Sequence, residues 1–70
     1  MEILFAERLR ELRDENNVDI ATLAKAVGVG CSQVRKWEKG KHLPKIDNLC
    51  NIADYFDTTL NYLVGLSDVG

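Results

Sequence analysis

Residues 19–38, DIATLAKAVGVGCSQVRKWE, decide the fold. Two short helical patterns flank the segment Val27-Gly28-Val29-Gly30. Asp19 suits the N-cap of the first, where its carboxylate can accept an amide hydrogen bond from Ala21 or Thr22. Leu23, Ala24 and Val27 then share one face, with Ala24 small where two helices must approach closely. Gly28 falls where a helix closes through a left-handed residue, a conformation that costs least without a Cβ. Val29 is an apolar plug for the angle between the two helices. The second helix is expected over about 31–39, with Val34 and Trp37 three apart and facing inward. Helices this short do not persist alone in water, so the flanking sequence must supply others to bury them.

The first of these is expected over about 4–16, where Phe5, Leu9 and Leu12 recur at steps of four and three. Asn16-Asn17 can end it, because asparagine tolerates left-handed geometry. After the central pair, Gly40 closes the helix and Pro44 keeps the loop 39–45 from continuing it. A fourth helix, about 46–56, places Ile46, Leu49, Ile52, Ala53 and Phe56 on a core face, and Cys50 beside that stripe reads as a small buried hydrophobe. Asp57-Thr58-Thr59 is a break and a cap. A fifth helix, about 60–64, turns Leu60 and Leu63 inward and ends at Gly65. Tyr62, Val64 and Leu66 are left for a partner or for the domain itself. The expected architecture is all-α: five helices in one domain spanning residues 1–70, with a helix-turn-helix at about 19–39.

Seventy residues leave little room for both a core and an enclosed active site. With a single histidine, no Ser-His-Asp pattern, no paired carboxylates in an apolar setting and no glycine loop to cradle phosphate, an enzyme is not expected. Cys31, Cys50 and His42 lack metal-ligand spacing, so neither a metal nor another cofactor is expected. No apolar run approaches the ~20 residues of a membrane span. Glu2 and Glu7 occupy the place of a basic signal-peptide head, and the setting expected is a reduced cytoplasm.

The net charge of −2 hides a strong segregation. Residues 25–45 hold Lys25, Arg35, Lys36, Lys39, Lys41 and Lys45 against Glu38 alone, a net of +5. The segments on either side are net −3 and −4. A cationic block of this kind attracts phosphate even in an acidic protein; a solvated surface is the plainer explanation.

The ordered set Phe5, Leu9, Leu12, Arg13, Leu23-Ala24, Val27-Gly28-Val29, Val34, Trp37, Glu38, Gly40, Lys41, Pro44, Leu49, Ile52, Ala53, Phe56, Leu60, Tyr62, Leu63, Gly65, Leu66, Ser67 and Asp68 resembles the Cro and phage-repressor (Xre) family of DNA-binding helix-turn-helix proteins. The resemblance covers nearly the whole chain. It implies a repressor-like transcriptional regulator, acting as a homodimer on double-stranded DNA and reading the major groove with its third helix. Carried onto this sequence, Cys31, Ser32, Gln33 and Lys36 face base edges, with Gln33 suited to adenine and Lys36 to guanine. Gly30, Arg35, Lys39, Lys41 and His42 contact phosphates. Arg13 pairs with Glu38, tying the first helix to the third, while Trp37 and Gly28 are structural. No small-molecule substrate is evident.

Three positions depart from the family pattern. Ile20 replaces a polar residue that touches phosphate. Gly30 replaces the usual Ser or Thr cap, though it leaves the helix amides open to phosphate. Cys31 stands where a polar contact is common, and a thiol at a helix start raises the idea of a redox sensor. These departures also suit a second class: a protein-interaction module, such as an antitoxin or antirepressor-type partner, that keeps the fold with weakened DNA contacts. Continuity of the third helix's exposed face with Lys39 and Lys41 discriminates between the two.

Overall fold

Phe5, Leu9 and Leu12 form the seam on which the other elements close, and all three are buried. The computed structural model describes residues 4–65. Among them are five helices: α1 (Phe5–Glu15), α2 (Ile20–Val27), α3 (Cys31–Glu38), α4 (Ile46–Tyr55) and α5 (Leu60–Val64). α3 packs on both α1 and α2, α5 packs on α1, and α4 packs on α2 and α5. One cluster joins them: Phe5, Leu9 and Leu12 meet Leu23, Ala24, Val27, Val34, Trp37, Ile52, Ala53 and Leu63. Trp37 is the largest fully buried side chain. Its ring meets Phe5 edge-on, with centroids 6.4 Å apart and planes at 73°, a geometry that contributes about 0.5–1.5 kcal/mol beyond area burial.

Helix boundaries follow from short polar residues and left-handed positions. Asp19 caps α2 by accepting the Thr22 amide at 2.8 Å. Thr59 caps α5 by accepting from the Tyr62 amide at 3.1 Å. Gly28 closes α2 at φ +86°, and the amides of Gly28 and Val29 both donate to the Ala24 carbonyl, at 2.8 and 2.9 Å. α1 and α4 end in Asn17 (φ +54°) and Asp57 (φ +55°), two of the non-glycine residues that tolerate this region best. Gly65 ends α5 at φ +76° and is also hemmed in sterically: a Cβ there would stand 2.7 Å from Leu4 Cβ. Beside it the Leu4 amide donates to the Val64 carbonyl at 2.9 Å, joining the start of α1 to the end of α5.

Two expectations for α4 are corrected. Ile46 is 60% exposed rather than a core residue, and Cys50 is exposed rather than buried. Ile46 has the right angular position for the buried stripe, but it stands on the first turn, where no neighbouring helix covers it. Cys50 is one residue past Leu49, a rotation of about 100° about the helix axis, which carries it off the stripe. The core face of α4 narrows to Ile52 and Ala53, buried, with Leu49 and Phe56 packed at its edge. Leu63 is buried as expected, and Leu60 and Tyr62 are partly buried against the core. Arg8 lies 4.6 Å above the Tyr62 ring, so that tyrosine packs within its own domain. Leu66, Ser67 and Asp68 lie outside the described residues.

Candidate nucleic-acid interface

α3 is oriented by what it buries. Val34 and Trp37 fix its inward direction, and an ion pair fixes its rotation relative to α1. Arg13 Nε donates to Glu38 Oε2 at 2.5 Å and Arg13 Nη2 donates to Oε1 at 3.0 Å, a two-pronged contact. Arg13 Nη1 donates to the Val18 carbonyl at 3.1 Å, so the same guanidinium also holds the turn into α2. The two side chains are only 15% and 10% exposed. The hydrogen bond to Glu38 holds the guanidinium above its ordinary pKa, against a smaller opposing penalty from burial. α3 itself runs to Glu38, with Lys39 as its C-cap.

The expected site residues divide by exposure. Ser32, Arg35, Lys36 and Lys39 are exposed. Cys31 is half-buried and leans on the hydrophobic core. Gln33 is also half-buried and lines an open cleft between α3 and the start of α4, with Gly30, Lys36, His42, Lys45 and Asn48 around it. The apolar wall of the cleft comes from Val29, Trp37, Leu43 and Pro44. A second, smaller cleft holds Lys41 and His42 beside Phe5 and Gly40. Trp37 lines both clefts, and its buried Nε1 has no hydrogen-bond partner among the described residues.

Two cleft residues were given no contact by sequence reasoning. Lys45 is the N-cap residue of α4, and Asn48 stands on that helix's first turn. Lys45 belonged to the cationic run; Asn48 gave no signal. At the departures from the family pattern, Ile20 is partly buried against the core, and Gly30 supplies an extended N-cap to α3 with no side-chain hydrogen bond. Among the described residues no group of three His, Cys, Asp or Glu could hold a metal ion, and no helix is long and apolar enough to cross a membrane.

Two helices locked across a left-handed glycine, with the second presenting polar and cationic side chains outward, define a helix-turn-helix domain. The family model described as helix-turn-helix matches residues 9–63, and the chain belongs to that family, in its Cro and phage-repressor branch. Over 59 residues it is 36% identical to the HTH-type transcriptional regulator AnsR of Bacillus subtilis, covering 84% of this chain and 51% of AnsR. A transcriptional regulator from Listeria innocua superposes with a TM-score of 0.92 at 27% identity, covering 100% of this chain and 65% of that one. The P22 c2 repressor, solved in complex with a synthetic operator, gives 0.82 at 28% identity, covering 86% of this chain and 91% of that one. The chain spans a little over half the length of most of the curated relatives it matches, and less than a third of two of them.

Proposed function

We propose that this chain is the DNA-reading domain of a repressor-like, cytoplasmic transcriptional regulator that binds operator half-sites as a homodimer. The observation that carries this is a pair of adjoining clefts that join the outward face of α3 to the lysines of the loop after it. Lys36, at the outward end of α3, borders the same cleft as His42 and Lys45, and His42 continues the surface to Lys41 in the neighbouring cleft. α3 enters the major groove with its N-terminal end leading, and Ser32 and Lys36 on its outward face meet base edges. Lys39, Lys41, His42 and Lys45 rest on the phosphate backbone and fix the register. With two-fold symmetry, half-sites lie about one helical turn apart. That the P22 c2 repressor was solved on an operator supports the same placement.

The interaction-module reading draws on a specific observation: Ile20, Gly30 and Cys31 offer no side-chain donor toward phosphate or base beyond a thiol. Selection of bound sequences from random duplex DNA decides between the two. Recovery of a palindromic consensus, lost with Lys36→Ala, supports the regulator; an unenriched pool supports the protein partner.

A further inference from the structure

We propose that Arg35, rather than Gln33, completes the base-reading face of α3, and that each half-site therefore carries a guanine opposite it. This rests on the DNA-reading proposal and narrows it.

Val34 and Trp37 set the inward direction of α3. Residues spaced three, four and seven apart share a helix face, so Ser32, Arg35, Lys36 and Lys39 form one outward stripe, and all four are exposed. Gln33 and Arg35 lie about 100° to either side of Val34, and their surroundings differ. Gln33 is half-buried and faces the cleft that it lines with Val29, Trp37, Pro44, Lys45 and Asn48. The Arg35 side is open.

The carboxylate one turn on from Arg35 is already taken. Both Glu38 oxygens accept from Arg13, and among the described residues no carboxylate lies within ion-pair distance of Arg35. A guanidinium with its donors free, on the groove-facing stripe, matches the O6 and N7 acceptors of guanine with two parallel hydrogen bonds. Gln33, beside Lys45 and Asn48, becomes a positioning residue at the backbone.

The test is selection from random duplex DNA with the wild-type chain, Arg35→Ala and Gln33→Ala, each checked for native helicity. Arg35→Ala should lose at least about fivefold discrimination at one guanine position while the rest of the consensus survives. Gln33→Ala should weaken all sequences alike. Uniform weakening by Arg35→Ala, or loss of one base position in Gln33→Ala, would overturn the assignment and leave the DNA-reading proposal standing. A wild-type pool with no enrichment would overturn both.

Discussion

Arg13 and Glu38 show how one pair of side chains sets the pose of α3. Each charge is mostly withdrawn from water, so removing either partner strands the other. Arg13→Ala and Glu38→Ala should each lower stability by about 2–4 kcal/mol, and the double substitution by clearly less than their sum, as measured by urea denaturation. Two glycines allow a second comparison. Both have left-handed backbone, but a Cβ at Gly28 would meet nothing within 4 Å, whereas at Gly65 it would press against Leu4. Gly28→Ala should therefore cost about 1–2 kcal/mol, the backbone term alone, and Gly65→Ala more, read as the larger fall in Tm. These positions were legible in the sequence because caps and left-handed residues act through their immediate neighbours: Asp19, Gly28 and Thr59 need only a residue type and a spacing. The pairing of Arg13 with Glu38, 25 positions apart, came from the family resemblance and not from any local pattern.

At the scale of the element, α2 carries a pH dependence in its cap. The hydrogen bond from Thr22 is the largest cause holding the Asp19 carboxyl below its ordinary pKa. A depressed folded pKa adds stability that is fully present above the unfolded value and is lost as pH falls through the folded one. The loss thus develops below about pH 4. Thermal unfolding followed from pH 7 to pH 3 should fall more steeply for the wild type than for Asp19→Asn, which caps without titrating. Equal slopes would show that this cap contributes nothing to acid sensitivity. α4 marks where sequence reading of elements runs out. Its periodicity correctly gave Ile52 and Ala53 as buried, but periodicity cannot say how far a neighbouring helix extends, and Ile46 lies beyond that reach. α3 has the same difficulty: the pattern shows which face Val34 and Trp37 bury, while only the path of the loop through Pro44 makes the cleft that leaves Gln33 half-buried and Arg35 exposed.

For the whole molecule, charge segregation sets how binding responds to salt. In the proposed interface the phosphate contacts all come from the cationic block and none from the acidic segments on either side. With about four phosphates neutralised per subunit, the logarithm of affinity should fall with the logarithm of salt at a slope of about −3.6 per subunit, and Lys41→Ala should flatten it by about 1. A titration series from 50 to 300 mM salt, on any duplex the protein selects, measures both; a flat dependence would contradict the proposed contacts. The fold class was legible at this scale because a stripe recurring in five segments admits few other architectures. The cleft was not, since its walls come from α3, the loop and α4 together.

The hydrogen bond from Leu4 to Val64 means that the two ends of the described chain already meet. The order in which the helices are strung is therefore separable from the way they nest. A circularly permuted chain, with those ends bridged by a short flexible linker and new termini opened at the exposed Lys41–His42 bond, should still seal Trp37 away from water, visible as retained blue-shifted tryptophan emission.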